Sequence, residues 1–253
     1  MQEDGIAPFA ISPDPPELLA RFAKKYDITY PLLSDNDSRV IREYDIFNAH
    51  IPADHDWYGI PFPGTYMVDE RGRVFDRTFF ADHAVRESIN DMLQESFHLA
   101  DAECGEVQVV ETPHLRARAY FASPTLRPAQ LNMLTVEIEL RPDMHVYGHP
   151  LPEGYIPVEL SVEESDGLRA LDIAYPKPQS LRFEIIDETL PAHAGTFSIK
   201  ARCRGGRRQE EGQIRVAASL RYQACDAQEC YLPQTLHFDL PLEFMGHDWD
   251  RLD

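Results

Sequence analysis

The chain has 253 residues, of which 43% are hydrophobic, and its formal net charge is −19. A surface this acidic repels phosphate backbones and anionic headgroups, so we expect neither nucleic acid nor a membrane surface as a partner. No apolar run approaches the ~20 residues of a spanning helix, so membrane insertion is not expected either. The length favours two domains over one.

The first 100 residues alternate short apolar strands with helical patterns. Asp14, Pro15, Pro16 and Glu17 form a typical helix start, with an acid at the N-cap and Pro in the first turn. The patterns predict, in order, a strand at 6–12, a helix from 15, an extended piece at 31–33, a helix over 40–44, a hairpin at 65–80 and a helix at 85–97. This alternation predicts an α/β domain over residues 1–100.

Three blocks in this region resemble the peroxiredoxin (AhpC/TSA) family in content, order and spacing. They are Phe9-Ala-Ile-Ser-Pro-Asp14, Tyr30-Pro-Leu-Leu-Ser-Asp35 and Gly59-Ile-Pro-Phe-Pro-Gly-Thr-Tyr-Met-Val-Asp69. The resemblance implies a thioredoxin-like fold in which a cis proline faces the redox cysteine. Pro63 occupies that place, so we predict a cis bond between Phe62 and Pro63.

The reactive cysteine of that family lies on a strand–helix unit before the first block, whereas no cysteine precedes Cys104 here. Because a thiolate is the nucleophile of peroxide reduction, we expect no peroxidase activity from this chain alone. The resemblance therefore implies a redoxin domain without its N-terminal strand–helix active-site unit. Either the domain is a degenerate scaffold or Met1 is an internal residue of a longer chain, and we favour the second interpretation.

Beyond residue 100, short apolar segments are separated by clusters of Pro, Gly, Asp and Ser, a texture typical of an antiparallel sandwich. Strands are predicted at 106–110, 116–122, 132–140, 156–163, 195–202, 213–225 and 230–244. We assign residues 101–129 to a linker with leading strands and residues 130–253 to an all-β sandwich.

The chain has four cysteines, and only Cys225 and Cys230 are close together in sequence. Cys104 and Cys203 have no neighbour of their kind and are interpreted as small buried or incidental residues. A four-residue turn would set Cys225 opposite Cys230, at a distance that a disulfide can bridge.

Strand periodicity gives the two cysteines different surroundings. Cys225 shares a face with polar residues such as Arg221, so we predict that it is the more accessible target for a partner's thiolate. Cys230 lies an even number of residues before the apolar Leu236, so strand alternation would place both on the same, apolar face. Direct pairing of the cysteines would then put the two apolar faces on opposite sides, unless a bulge near Pro233 or a twisted hairpin end intervenes.

The segments Tyr222-Gln-Ala-Cys225 and Cys230-Tyr-Leu-Pro233 resemble the N-terminal domain family of the thiol:disulfide interchange protein DsbD. The resemblance implies an immunoglobulin-like fold with two catalytic cysteines on neighbouring strands, which pass electrons to other thiol proteins. It also implies a loop that caps the cysteines, near Leu181 to Glu188. The residues it implies in support of Cys225 and Cys230 are Tyr222, Gln223, Tyr231, Pro233 and Phe183 as an aromatic lid. The AhpC/TSA resemblance adds Pro63 in the redoxin domain.

The leading interpretation is a thiol–disulfide oxidoreductase whose partners are other thiol–disulfide redox proteins, linked to antioxidant, peroxiredoxin-type chemistry in the full-length chain. The alternative is a non-catalytic binding or scaffold protein with a structural disulfide. A bridge around so short a loop constrains the unfolded chain little, which favours the redox interpretation.

Two cysteines without a nearby His or further Cys make a poor zinc site, so no metal and no other cofactor is expected. The compartment stays open. The DsbD resemblance implies the periplasm, whereas the acidic Met-Gln-Glu-Asp-Gly start has no export-signal pattern and would fit the cytoplasm.

Overall fold

The computed structural model describes residues 5–80, 85–97, 99, 105–183, 187–208 and 210–246. The chain divides into two compact units, residues 1–83 and 84–253. Strands far outnumber helices in the described residues, so the protein is mostly β. Cys104 lies outside the described residues.

The first unit consists of short elements, as the sequence predicts. Its helices and strands are β1 (Ala10–Ser12), α1 (Pro16–Lys25), β2 (Leu32–Ser34), α2 (Arg39–Glu43), β3 (Gly64–Val68) and β4 (Val74–Phe79). Strands β1 and β2 pair in parallel, while β3 and β4 form the predicted antiparallel hairpin. Its turn is held by the Asp69 carboxylate, which accepts the backbone N–H groups of Arg71 and Arg73, each at 2.9 Å.

The apolar face predicted for the first helix exists but is not covered by the described residues. No residue of α1 is buried, and Leu18 and Phe22 are 42% and 47% exposed. Ile11 and Leu33 on the adjoining strands are similarly exposed. The buried apolar side chains of this unit are Ile41 and Met67, so its described core is small.

The cis prediction for Pro63 was wrong. Among the described residues the cis peptide bond lies between His149 and Pro150, and the Phe62–Pro63 bond is trans. The trans isomer is intrinsically favoured by about 0.5–1 kcal/mol. In this chain the trans isomer occurs together with a 2.7 Å hydrogen bond from the Phe62 N–H to the Ile46 carbonyl. The main reason for transferring a thioredoxin-like site geometry to Pro63 is therefore removed.

The second unit begins with a short helix and continues as strands. These are α3 (Ile89–Glu95), β5 (Gln108–Glu111), β6 (Leu115–Phe121), β7 (Thr125–Leu126), β8 (Leu131–Leu140), β9 (His145–Tyr147), β10 (Glu159–Val162), β11 (Leu168–Ala174), β12 (Gln179–Phe183), β13 (Glu188–Ala194), β14 (Thr196–Gly205), β15 (Gly212–Tyr222), β16 (Ala224–Cys225) and β17 (Gln234–Phe244).

Helix α3, which the sequence groups with the first domain, is anchored to the strands of the second unit. The Asp91 carboxylate accepts the backbone N–H of Met133 at 3.1 Å, and the Asn90 amide donates to the Ala122 carbonyl at 2.9 Å. The Ser88 hydroxyl caps the helix by accepting the Asp91 N–H at 3.0 Å. The helix therefore belongs to the compact unit that starts at residue 84.

The described strands of the second unit form three sheets. A five-stranded sheet has the order β11-β14-β8-β6-β5, a four-stranded sheet the order β10-β15-β17-β7, and a smaller four-stranded sheet the order β12-β13-β9-β16. Buried side chains of the first two sheets form one continuous hydrophobic core. The third sheet has its own small cluster around Tyr147, Leu190, Ala192 and Cys225.

The long β15–β17 pair shows why the sequence alternates in this region. Its register places Val216 opposite Leu240 and Leu220 opposite Leu236, and all four side chains are buried. Strand side chains alternate between faces, so this register puts both apolar sets on the core side. The pair ends with Tyr222 opposite Gln234, and the cysteine segment follows directly.

Candidate functional site

Cys225 and Cys230 form the predicted disulfide, with an S–S distance of 2.08 Å and Cα atoms 4.0 Å apart. The two residues also form an isolated antiparallel bridge. Cys225 ends the two-residue strand β16, which pairs with β9 and places Cys225 opposite His145. The disulfide therefore lies where the chain leaves the β10-β15-β17-β7 sheet (hereafter the large sheet) at Tyr222 and joins the smaller β12-β13-β9-β16 sheet.

The structure resolves the parity conflict in the way the sequence suggested. Tyr222 is opposite Gln234, whereas Cys225 is opposite Cys230, so the second chain segment carries one residue more than the first between these pairs. The extra residue lies between Cys230 and Gln234, next to Pro233. This bulge-like shift keeps the apolar faces of β15 and β17 together while the cysteines still meet.

The turn between the cysteines is organised by Asp226. Its Oδ1 accepts the backbone N–H groups of Gln228 at 2.7 Å and Glu229 at 2.9 Å, and its Oδ2 accepts the Tyr231 hydroxyl at 2.8 Å. The Asp226 N–H in turn donates to the Glu229 carbonyl at 2.9 Å. The hydrogen bonds from Glu229, Gln228 and Tyr231 lower the pKa of Asp226, so the turn carries a stable carboxylate beside the disulfide.

The prediction that Cys225 is the accessible cysteine was wrong. Cys225 is 1% exposed, whereas Cys230 is exposed. The strand period that suggested a polar face for Cys225 ends at Gln223, because β16 joins β9 instead of continuing in the large sheet. There Cys225 packs with Tyr147, Leu190 and Ala192. Of the two bridged cysteines, Cys230 is therefore the one that is exposed and Cys225 the one that is buried.

An open cleft of about 460 Å³ lies beside the disulfide. The residues that line it are Asp143, His145, Tyr147, Leu181, Arg182, Phe183, Cys225, Asp226, Ala227, Gln228, Glu229 and Cys230. Phe183, at the end of β12, lies in this lining, in the place where the sequence expects a lid. Its ring centroid is 4.5 Å from that of His145 and 5.7 Å from that of Tyr147.

Tyr147 and His145 also line the cleft and lie close to the two cysteines. The Tyr147 hydroxyl lies 3.8 Å from the Cys230 Sγ. Burial, and secondarily the charge of Glu188, raises the pKa of Tyr147, so its hydroxyl stays protonated. His145 is buried, and its Nε2 has no hydrogen-bond partner among the described residues. Burial lowers the pKa of His145, while the charge of Asp226 opposes that shift.

Residues that the sequence predicts around the cysteines form hydrogen bonds next to the disulfide. Tyr222 is fully buried, and its hydroxyl donates to the Gln234 side chain at 2.7 Å and lies 3.1 Å from the Thr112 hydroxyl. The Gln223 amide donates to the Tyr231 carbonyl at 2.9 Å. These hydrogen bonds join the chain that precedes Cys225 to the chain that follows Cys230.

Two predicted residues are not part of the cleft lining. Pro233 is exposed and lies between the disulfide and the start of β17. Pro63 belongs to the first unit, and the cleft is lined by residues of the second unit. The sequence matches the segment 144–147 to the DsbD-type family and places Asp226 near the cysteines, but His145, Tyr147 and Asp226 are not among the predicted site residues. Only Asp226 had a local signal, since Asp before a short turn commonly accepts the backbone N–H two residues on.

The described residues contain no helix long and apolar enough to cross a membrane. Within the same residues no group of three or more His, Cys, Asp or Glu side chains is arranged to hold a metal ion.

The fold and site define a mostly β protein with a cleft-lining disulfide, preceded by a small α/β unit. Residues 112–242 match the family model for the N-terminal domain of thiol:disulfide interchange protein DsbD, which covers more than half of the chain. The chain belongs to that family. Residues 1–77 match the model of the AhpC/TSA family. Both resemblances found in the sequence are thereby confirmed.

The curated relatives carry the name peroxiredoxin. One from Haemophilus influenzae is 29% identical over 86 residues, which are 31% of this chain and 52% of that protein. One from Mycobacterium tuberculosis is 35% identical over 74 residues, which are 28% of this chain and 44% of that protein. The chain thus spans about half the length of the curated relatives it matches.

Two solved structures of DsbD-type domains are also similar. The N-terminal periplasmic domain of ScsB from Proteus mirabilis is 13% identical, with a TM-score of 0.37 over 53% of this chain and 49% of that one. The reduced DsbD N-terminal domain of Neisseria meningitidis is 12% identical, with a TM-score of 0.31 over 59% of this chain and 94% of that one. These scores are too low to carry an argument.

Proposed function

We propose that this protein exchanges electrons with other thiol–disulfide proteins through Cys225 and Cys230. The observation that carries the proposal is the asymmetry of the disulfide: Cys230 is exposed at an open cleft, and Cys225 is buried behind it. Exchange needs one sulfur that a partner's thiolate can reach and a second sulfur that leaves as a thiol. The family membership of residues 112–242 supports the same chemistry.

The surroundings of the pair fit exchange better than a purely structural bridge. Exposed bridges are more easily reduced than inert structural ones, and this bridge faces a cleft of about 460 Å³. The loop it closes is short, so its contribution to stability through the unfolded chain is small. Phe183 and Tyr147 flank the cleft and would restrict the approach of unrelated thiols.

The proposal extends to the folds of the two units. The second unit would be an immunoglobulin-like sandwich and the first a thioredoxin-like domain, supported by the two family matches. The match of residues 1–77 to the AhpC/TSA model supports a link to peroxiredoxin-type chemistry, in which the Cys225–Cys230 dithiol would be the electron donor or acceptor.

The test is the redox equilibrium of the pair. The protein is equilibrated in graded glutathione buffers, quenched, and mapped by mass spectrometry. We expect the disulfide to be reduced within the range of cellular exchange proteins, above about −300 mV. With Cys225→Ser, the remaining Cys230 should accumulate a mixed disulfide with glutathione, and with Cys230→Ser the buried Cys225 should trap far less.

A pair that resists reduction at potentials below about −300 mV would contradict the proposal. Equal trapping by the two single variants would contradict the assignment of Cys230 as the attacked sulfur. In the first case the disulfide is structural, and a non-catalytic binding or scaffold protein becomes the better interpretation.

A further inference from the structure

His145 is a buried polar side chain beside the disulfide with no assigned role. It is 7% exposed, and the pairing of β9 with β16 places it opposite Cys225. Directly opposite residues have Cβ atoms about 4.5–5.5 Å apart and share one face of the sheet. Both residues line the cleft. The histidine is therefore a close neighbour of the buried sulfur.

The Nε2 of His145 is buried and has no hydrogen-bond partner among the described residues. Leaving a buried polar group unpaired costs free energy, so such groups are rare in folded proteins. In the disulfide form Cys225 has no proton to donate. In the reduced form its thiol becomes a donor, and a neutral imidazole nitrogen is an acceptor. Reduction of the disulfide therefore creates a donor on the residue that lies directly opposite His145.

We propose that His145 is the base that accepts the proton of the Cys225 thiol when the protein resolves a mixed disulfide with its partner. The inference rests on the proposed exchange function. The inference adds a base beside Cys225, the buried cysteine of the pair. Burial disfavours the charged form of a thiol, so Cys225 is the cysteine that forms a thiolate less readily.

The Cys230 thiolate attacks the partner's disulfide, so a Cys230–partner bond forms and one partner thiolate leaves. Neutral His145 then takes the proton of the Cys225 thiol. The Cys225 thiolate attacks the Cys230 Sγ, the Cys225–Cys230 bond forms, and the second partner sulfur leaves with the electron pair. The dithiol has then lost two electrons and the partner disulfide has gained them, while the imidazolium returns its proton to solvent or to the leaving thiolate.

The environment of His145 favours the neutral ring that a base needs. Burial lowers its pKa, and the opposing influence is the carboxylate of Asp226. The other charged or titratable side chains in the cleft lining are Asp143, Tyr147, Arg182 and Glu229. Arg182 is already paired with Asp187. Strand β13 places the uncharged Ala194 opposite His145.

This mechanism predicts a distinctive dependence on pH. If a neighbouring imidazole takes the proton, the rate of the resolving step is flat between the pKa of His145 and the pKa of the thiol, because the proton moves within the protein. Without a base, the rate follows the thiolate fraction and rises about tenfold per pH unit up to the thiol pKa.

The experiment uses the reduced full chain with Cys104→Ser and the disulfide 5,5′-dithiobis(2-nitrobenzoate) as the probe. The first thionitrobenzoate is released when Cys230 attacks, and the second when Cys225 resolves the mixed disulfide. The test variant is His145→Gln. The matched control is His193→Gln, because His193 is also buried, has a pKa lowered by burial, lies on the neighbouring strand and stacks on Phe197 at 4.5 Å.

We expect the second release at pH 7 to be slower by about tenfold or more in His145→Gln and unchanged in His193→Gln. The wild-type rate should be flat from pH 6.5 to 8, and the His145→Gln rate should rise with pH across that range. A second release with the same rate and pH profile in both proteins would overturn the inference. So would a wild-type rate that itself rises about tenfold per unit, a result that stands even if His145→Gln does not fold. If the wild-type chain gives no second release, the proposed exchange function itself fails.

Discussion

The hydroxyl of Tyr147 lies 3.8 Å from the Sγ of Cys230, the exposed sulfur of the disulfide. Because a disulfide sulfur carries no proton, the tyrosine is the donor in this contact. Tyr147 is 3% exposed and its pKa is raised, so it stays protonated when the disulfide is reduced. The same hydroxyl can then stabilise the Cys230 thiolate.

Replacing Tyr147 by Phe should raise the pKa of the Cys230 thiol by about 0.5–1 unit, since one hydrogen bond to the thiolate is lost. The measurement is the rate of alkylation against pH in a Cys225→Ser background. Tyr155→Phe is the matched control, because the Tyr155 hydroxyl donates to Glu188 at 2.8 Å and its ring contacts that of Tyr147. An equal shift in both variants would show that the contact with sulfur has no special effect.

Phe183 lines the cleft with its ring against His145 and Tyr147. We expect Phe183→Ala to increase the rate at which dithiothreitol reduces the disulfide by about fivefold, since attack depends on access to the sulfur. Phe197→Ala removes another partly buried aromatic ring of the same unit and serves as the control. No change in Phe183→Ala relative to Phe197→Ala would rule out shielding by this ring.

Cys203 is fully buried, and burial raises the pKa of its thiol to about 12, with smaller contributions from Asp91 and Asp172. In the reduced native protein we expect iodoacetamide to modify Cys230 first, Cys225 more slowly, and Cys203 at least about a hundredfold more slowly than Cys230. Differential alkylation followed by peptide mapping measures this order, and labelling in denaturant should make the three equal. Early modification of native Cys203 would be inconsistent with its burial.

Asp91 joins α3 to β8 and is 3% exposed; burial raises its pKa from 3.8 to about 6 despite the hydrogen bond from Met133. An acid with a raised folded-state pKa binds its proton more tightly in the folded chain. The free energy of unfolding therefore falls as pH rises from about 4 to 6 and is constant above that, with a total loss of at most about 3 kcal/mol.

Asp91→Asn should remove this pH slope and stabilise the protein at pH 7 by about 1–3 kcal/mol, because the amide oxygen can still accept the Met133 N–H. Urea unfolding followed by circular dichroism at pH 4, 5, 6 and 7 measures the effect. Glu164→Gln, which neutralises an exposed carboxylate, is the control. A slope that survives in Asp91→Asn would assign the pH dependence to another group.

The Asp226 carboxylate holds the turn between the cysteines with three hydrogen bonds. Asp226→Ala should loosen the turn, lower the effective concentration of one thiol for the other, and shift the glutathione equilibrium toward the dithiol by about threefold to tenfold. Asp226→Asn keeps an oxygen that can accept the two backbone bonds and should shift it less. Identical equilibria in Asp226→Ala and the wild type would show that the turn does not control the redox balance.

The sequence alone determined the parts of this protein that depend on local chain geometry. The period-2 alternation before Cys225 and after Cys230 fixed the core faces of β15 and β17, and the four-residue spacing of the cysteines allowed their disulfide. The parity mismatch required a bulge near Pro233 or a twisted hairpin end, and the structure has an extra residue next to Pro233. Each of these follows from alternation of side chains along a strand, which depends on neighbours in sequence.

The tertiary structure alone decided which cysteine of the pair is exposed. Cys225 is buried because β16 leaves the large sheet and pairs with β9, a strand about 80 residues earlier in the chain. That pairing also brings His145 and Tyr147 to the disulfide. Local periodicity specifies the two faces of a strand but not the strand it will pair with, and that choice set the chemistry of this site.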